Sequence, residues 1–481
     1  MTFTIEAKKF GKYDVLVCGG GTAGTIAAIA AARLGAKTLL VERTFTVGGM
    51  LTIGDAGITK FIEHCKDLDL HEKEVVDVLA TDPTKVQVVG GIPREYVQRM
   101  IDAGTALGTH GQAGSYVFTD KCEAQWTLMD MLEEAGVEVL YDTRVCMTLM
   151  DGDTLTGVVV CNKDGFSEIY ADRIIDATGD ADVAMLAGVP HHVGASEYDL
   201  QEGAAEEVGQ QQQPGTMYRV RDVDFDKLFA WLEANPNRYG VQRCAVMSLE
   251  NVKRSYYSGE MCVFDILITD EPVIGFKHIQ VYNLPTKGEA ILLGPWCGMV
   301  GSVKADGLNA RDISKGQALC QNGVRQMNNY LKRIPGFENM KTLYVPDIGI
   351  RETRHIIGEY VLTGIDVLST RDFEDSIGCG GHPIDIYPIP EELEKMPMDH
   401  WRFHIPYRIM VPQKVENLLV TGRCVSATRA ASGVLRPTAQ CMVMGEAAGT
   451  AAVLSLKQNV PPKNVDIKEL RSTLLNNGAV L

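Results

Sequence analysis

The run Val15-Leu16-Val17-Cys18-Gly19-Gly20-Gly21-Thr22-Ala23-Gly24 constrains this chain more than any other. An apolar strand enters glycines at 19, 21 and 24, and an alanine-rich helix, Thr22 to about Leu34, leaves them. A second strand, Lys37 to Val41, ends in Glu42, which is followed by Arg43. Each part has a physical job in a unit that holds a dinucleotide. Gly19 permits the tight turn, Gly21 lets backbone approach a pyrophosphate, and Gly24 lets helix and strand pack closely. The free N–H groups of the helix N-terminus, at Thr22 and Ala23, then face the phosphates. Glu42 is placed to accept hydrogen bonds from an adenosine ribose, which argues for FAD or NAD over NADP. With 48 glycines in the chain the glycine spacing alone would be weak; strand, helix and acid in order make it specific.

A chain of 481 residues, 45% hydrophobic and 22% charged, supports two or three domains with substantial cores. Its net charge of −16 disfavours nucleic-acid binding, which wants a basic face. No apolar run approaches the roughly 20 residues needed to cross a bilayer. Met1 to Lys12 lacks the apolar centre of a signal peptide, so a cytoplasmic protein with no membrane partner is expected. The twelve cysteines include no CxxC, and neither they nor the ten histidines show metal or iron–sulfur spacing. No metal is expected, and most thiols read as reduced, buried small residues.

Along the chain, Val47-Gly48-Gly49-Met50-Leu51-Thr52 is a glycine-rich loop just past the second strand, read as a path toward the pyrophosphate. Residues 60 to 113 read as helices, one opened by Pro93-Arg94-Glu95. Thr119 to Ala135 reads as another helix, with Asp120 as its N-cap. A meander of Val137–Tyr141, Arg144–Met150, Thr154–Cys161 and Ser167–Tyr170 follows. It leads into Ile175-Asp176-Ala177-Thr178-Gly179-Asp180, which returns the chain to the nucleotide site. Asp180 and Asp182 read either as caps for Val183–Leu186 or as cofactor contacts.

Between Gly188 and Tyr344 the pattern changes. Met261–Thr269 and Ile274–Val281 alternate like antiparallel strands, and Ser314 to Arg333 reads as a helix. Four segments result: 1–187 and 345–458 as the two parts of a dinucleotide-binding domain, 188–344 as an inserted mixed α+β substrate domain, and 459–481 as a helical tail. The fold class is α/β, Rossmann-like. A polar constellation follows at Arg351-Glu352-Thr353-Arg354-His355 and Gly378-Cys379-Gly380-Gly381-His382-Pro383-Ile384-Asp385. It suits an anionic or carbonyl-bearing ligand; alternatively Arg351 and Arg354 pair structurally with Glu352, Glu359 or Asp375. Last, Asn417 to Arg423 is a strand ending in Gly422. Leu435-Arg436-Pro437-Thr438 then opens a helix of small residues, Ala439 to Leu454, whose N-terminus can seat an anion.

With both ends read, the chain resembles the FAD-dependent oxidoreductases of the glutathione-reductase-like, two-dinucleotide-binding-domain class. Within it, the resemblance is to a family related to the flavoprotein subunit of heterodisulfide reductase. It is carried by residues 19–24, 48–52, 175–180, 351–354 and 417–423. It implies an extended FAD, with Gly19, Gly21 and Gly24 at the diphosphate and Glu42 at the ribose. Gly49, Met50, Thr52, Gly179, Asp180, Gly422 and Arg423 would line the remainder. Many relatives place an acid where this chain has Arg423, whose charge suits the diphosphate instead. The cluster-binding cysteines of the heterodisulfide reductase relatives are missing.

The resemblance further implies hydride transfer between a small polar substrate and the flavin, with a protein group moving the proton. His355, His382, His404 and Tyr387 are candidates for that group. Arg351, Arg354 and Arg436 could clamp a carboxylate or polarise a carbonyl. A flavoprotein subunit serving a redox partner protein and a non-redox isomerase or lyase stay open, as does the oligomeric state, a homo-oligomer included.

Overall fold

The four residues Val15–Cys18 are wholly buried, and everything at the site is hung from the strand they end. In a computed structural model of the chain, the described residues are 6–59, 61, 64–65, 87–108, 116–240, 248–269, 275–297, 305–396 and 400–481. The strand Lys8–Cys18 pairs in parallel with Thr38–Val41 on one side and Gly165–Asp176 on the other. Glu138–Leu140 extends the sheet in parallel beyond Thr38–Val41, and Leu418–Val420 joins in parallel at Asp176. The register sets Cys18 opposite both Val41 and Asp176, and Asp176 opposite Val420. Four chain segments remote in sequence therefore end at one edge of the sheet. In open α/β sheets that carboxyl edge is where ligands bind.

The sheet departs from the expected meander. Val137–Tyr141 is no hairpin strand: its core, Glu138–Leu140, lies at the parallel edge beside Leu39–Val41. The remaining strands, Arg144–Asp151, Thr154–Asn162 and the first half of Gly165–Asp176, form the antiparallel part. Gly165–Asp176 is a single twelve-residue strand that leaves the hairpin and enters the parallel core. Alternation over residues 165–170 and a continuous apolar run after them read as two elements because burial changes from one face to two along its length.

Two helices cover one face through small residues. Thr22–Arg33 is buried along nearly its whole length, and Thr438–Lys457 is buried from Ala439 to Ser455. A Cβ at Gly445 would run into the carbonyl of Ala23, and one at Gly449 into that of Ala27. The late helix is long and apolar enough to cross a membrane by composition, and 94% of that apolar stretch is buried inside the fold.

The second sheet draws every strand from residues 215–344, in the order Tyr239–Gly240, Val263–Leu267, His278–Asn283, Ala290–Trp296, Gly215–Arg221, Lys341–Tyr344. All pairings are antiparallel. Phe225–Ala234, Leu249–Tyr257 and Ala310–Leu331 supply the helical side of its core. Its other face meets Tyr116 and Phe118 of the first unit. Of the strand expected at Ile274–Val281, residue 274 lies outside the described residues and the strand runs from His278 to Asn283. The helices expected over 60–113 lie largely outside them too, apart from Gly91–Asp102. Asp120 does cap Lys121–Ala135, accepting from the N–H groups of Cys122 and Glu123. The tail forms one helix, Ile467–Asn476.

One buried acid ties the late helix to Gly91–Asp102. Glu446 accepts from the N–H of Ile92 at 3.1 Å, a capping contact at that helix's first turn. Burial outweighs this bond and pushes its pKa from 4.5 to about 8. The folded chain thus holds a proton that the unfolded chain releases above about pH 4.5, so stability falls as pH rises from there to about 8. Glu446→Gln, neutral at all pH, should flatten that slope and melt at or above the parent temperature at pH 8. Thermal unfolding between pH 5 and 8.5 checks this; an unchanged slope overturns it.

Candidate functional site

The sheet's carboxyl edge gathers three turns. The first is the glycine turn, where Gly19 has φ +103° and Gly24 packs so closely on Gly19 that a Cβ there would strike its carbonyl. Around Gly21, by contrast, a Cβ would meet nothing within 4 Å, so the backbone there faces open space. Thr22 and Ala23 open the helix; the Thr22 hydroxyl donates to Gly48 O at 3.1 Å, and Ala23 packs on Gly445 and Gly422. The 48–52 loop folds onto this turn: Gly48 N–H donates to Gly20 O at 2.7 Å, and a Cβ on Gly49 would stand 2.9 Å from Gly21 Cα. Met50 is partly exposed. Thr52 is a correction, being buried with its hydroxyl donating to Val47 O at 2.6 Å. Its side chain holds the loop from inside.

Glu42 sits below the turn. One carboxylate oxygen accepts from Gly20 N–H at 2.7 Å, and the other from the amide and hydroxyl of Thr44, each at 2.8 Å. It therefore fastens the second strand's end to the glycine turn. Arg43, beside it, is exposed and lies near enough to Asp180 to hold its pKa down.

The second turn follows Asp176. Asp176 is wholly buried, and burial raises its pKa to about 6 against hydrogen bonds from Ala184 N–H and from the hydroxyl and N–H of Thr178. It serves the short helix Asp182–Leu186 together with Thr178, whose hydroxyl accepts from Asp182 N–H. Asp180 and Asp182 are thus not its side-chain caps. Asp182 pairs with Arg354 at 2.9 Å, and Arg354 also donates to Asp180 O at 2.8 Å. Arg354 belongs to this turn and is separate from the other two arginines expected to hold substrate.

The third turn is Thr421–Arg423. Gly422 has φ +86° and Arg423 reaches across to Asp180 at 2.5 Å and to the Thr353 hydroxyl at 3.0 Å, alongside Gly179. Burial works to raise the pKa of Asp180, and Arg423 and Thr353 hold it below the ordinary carboxylate value. Arg423 thus stands at the sheet's carboxyl edge paired with Asp180.

A second cluster lies where Arg436 precedes the late helix. Asp385 accepts from Arg351 at 2.6 Å and from Arg436. The Arg351 guanidinium lies 4.8 Å over the Trp296 ring. Burial opposes the charge on Asp385, yet Arg436, Arg351 and nearby His382 hold its pKa well below the carboxylate range. Burial and Arg351 push Arg436 down to about 10, so it stays cationic at neutral pH. The acids considered as partners for Arg351 and Arg354 are used elsewhere: Asp375 pairs with Arg408, and Glu352 lies against Arg429 and His355. Asp385, the actual partner, and Trp296 were not singled out. Arg351 and Arg354, three residues apart, call for counter-charges, and Asp385 closes the polar stretch that follows them.

The remaining candidates scatter. His355 is a correction: it is wholly buried, 3.5 Å from Glu352 and with its ring 5.2 Å from that of His192, so it is a core histidine that no substrate meets. His404 lies on the strand Phe403–Pro406, its Nδ1 3.7 Å from the buried Cys379 sulfur. Tyr387 is exposed and its carbonyl accepts from Arg429 at 3.3 Å. His382 is partly buried, with Nδ1 2.7 Å from Pro383 O. Among the described residues no three His, Cys, Asp or Glu side chains group as a metal site.

A glycine turn open at Gly21, held by an acid at the second strand's end and closed by an arginine at the last, is a dinucleotide cradle. The family model for FAD dependent oxidoreductase matches residues 14–474. The chain belongs to the FAD-dependent oxidoreductase family. It is an oxidoreductase with FAD as its cofactor. The cradle fits that group: the open Gly21 backbone and the free N–H groups of the following helix suit a diphosphate.

Relatives are more distant. Digeranylgeranylglycerophospholipid reductase 1 of Methanococcoides burtonii is 26% identical over 189 residues, 38% of this chain and 43% of that protein. NADH:fumarate oxidoreductase of Klebsiella pneumoniae is 30% identical over 203 residues, 36% of this chain and 21% of that one. The matches span less than half the length of these curated relatives. A geranylgeranyl bacteriochlorophyll reductase-like protein from Thermoplasma acidophilum overlays 98% of the chain and 84% of its own, at 14% identity and a TM-score of 0.45.

The two glycines 21 and 24 separate cofactor fit from folding. Gly21→Ala should leave the melting temperature nearly unchanged, because its Cβ enters open space, while FAD binding weakens roughly tenfold or more, about 1.4 kcal/mol. Gly24→Ala should lower the melting temperature itself. Flavin titration of both variants beside thermal unfolding checks this; equal FAD affinity for Gly21→Ala and the parent overturns it.

Proposed function

We propose that this family member oxidises or reduces a small polar organic molecule bearing a carboxylate or carbonyl, seated between Arg351 and Arg436. The observation that carries the reading is the Arg351–Asp385–Arg436 bridge. Two guanidinium groups share one carboxylate, leaving one net positive charge, and the nearest further acid, Glu352, is engaged by Arg429, His355 and Gln212. A half-buried excess cation attracts one anionic group or the oxygen of a polarised carbonyl.

Bound FAD supplies hydride acceptance or donation at its N5. The chain's own residues do the rest. Arg436 stands two residues ahead of the helix Thr438–Lys457; Gly445, roughly 10 Å along that helix from its first residue, packs on Ala23, so the helix ties its head to the glycine turn. Asp385 orients both guanidinium groups, and the Trp296 ring supports Arg351 from the far side. His382, close to Asp385 and partly exposed, is the group assigned to hold and move the proton on the substrate oxygen or nitrogen.

An anaerobic screen of small carboxylates, keto acids and hydroxy acids for bleaching of the flavin identifies the substrate. With it, His382→Ala should keep its FAD and lose about 10²–10⁴ in kcat. Arg351→Ala should raise KM by about tenfold or more, in line with loss of one charge-assisted contact. Parent-level turnover in His382→Ala, or an unchanged KM in Arg351→Ala, overturns the assignment of that residue.

A further inference from the structure

Next to Trp296, the ring under Arg351, two thiols touch. Cys297 follows the strand Ala290–Trp296, and Cys320 lies in the helix Ala310–Leu331. Their Sγ atoms are 3.6 Å apart, and both side chains are buried among Ala305 and Ile348. The helix can come this close because a glycine, Gly316, stands one turn before Cys320; a Cβ there would be 3.0 Å from Cys297 Sγ. The hydrogen bond between the thiols draws Cys297 below the ordinary thiol pKa, and the same bond together with burial raises Cys320. Cys320 Sγ also donates to Pro295 O at 3.7 Å, which keeps the proton on that thiol and leaves Cys297 as the attacking sulfur.

We propose that Cys297 and Cys320 are an oxidation site, converted by a hydroperoxide into a disulfide that ties the second sheet to its longest helix. The Cys297 sulfur attacks one oxygen of the O–O bond, giving a sulfenic acid and releasing an alcohol, or water from hydrogen peroxide. The Cys320 sulfur then displaces hydroxide from the sulfenic sulfur, and its proton leaves with that hydroxide as water. Two sulfurs lose two electrons and the O–O bond accepts them. The sulfur atoms need to close by roughly 1.5 Å to reach bonding distance. Because the two positions lie 23 apart in sequence, the bond also restrains the unfolded chain.

The bond has a route to the substrate seat. Trp296 precedes Cys297, and its ring lies against Gly215 and carries Arg351 at 4.8 Å. Cys297 N–H donates to Pro214 O at 2.9 Å, so strand end and ring move together. Drawing Cys297 toward the helix shifts the support under Arg351; this part of the proposal rests on Arg351 binding substrate.

The holoenzyme is treated with hydrogen peroxide, alkylated and digested, with Cys320→Ser beside it. Expected are a linked peptide joining Cys297 to Cys320, lost on reduction, a higher melting temperature, and no such peptide in the variant. Oxidation of the exposed Cys122 without that linked peptide overturns the oxidation site. The second arm compares KM: oxidised parent should differ from reduced parent by roughly twofold or more, and peroxide-treated Cys320→Ser should not. An unchanged KM overturns the coupling to Arg351, while the linked peptide decides the oxidation site even if the substrate reading fails.

Discussion

The contact on which this fold depends is backbone against backbone, made where Gly445 and Gly449 of the late helix lie on the carbonyls of Ala23 and Ala27. Side chains normally hold helices 8–10 Å apart. Here their absence lets the two axes draw closer, and dispersion between the two backbones replaces interdigitated side chains. A helix from the end of the chain is thereby fixed to the helix that begins at the glycine turn. Whatever the late helix carries at its head, Arg436 above all, takes its position from this contact.

Around it the acids of the sheet edge act as fasteners. Glu42 ties the second strand to the glycine turn, and Asp176 organises the turn that follows the twelve-residue strand. Asp180 engages Arg423, and Asp385 binds two arginines. Each is held by donors that order backbone which would otherwise be loop. Glu42 and Asp176 do this through backbone N–H and hydroxyl donors, Asp180 and Asp385 through arginines. At Arg351 and Arg436 two cations share one acid.

Much of this was legible in the chain itself. The glycine turn, the Asp120 cap and the strand Leu418–Val420 ahead of Gly422 are written in local patterns that tertiary context does not override. Two of the six strands of the second sheet, at 263–267 and 278–283, were visible as elements, though not the sheet's order, because pairing partners such as Arg219 and Tyr344 lie 125 residues apart. Residues 165–176 misled because one strand changes from half-buried to wholly buried midway, and two periodicities read as two elements. Among site residues, short-range motif gave Gly19, Gly21 and Gly24 their places. His355 and Thr52 were misjudged because polarity in sequence says nothing of burial; both side chains point into the core. Asp385 was overlooked because the choice among four nearby acids is made in three dimensions.

The two sheets are joined by more than apolar contact. Arg219 of the second sheet is buried and reaches Asp55 through two nitrogens, at 2.8 and 2.9 Å, and a third bond goes to Thr119 O. Removing one member of such a pair strands the other without water, at about 3–5 kcal/mol. Asp55 also sits at φ +52°, a conformation held by its surroundings. Replacing Arg219 alone would strand that carboxylate inside the fold, whereas excising the 215–344 segment would open it to water and take away the anchor of the loop that ends at Asp55. Shuffled chimaeras that keep both units need to carry positions 55 and 219 as a matched set.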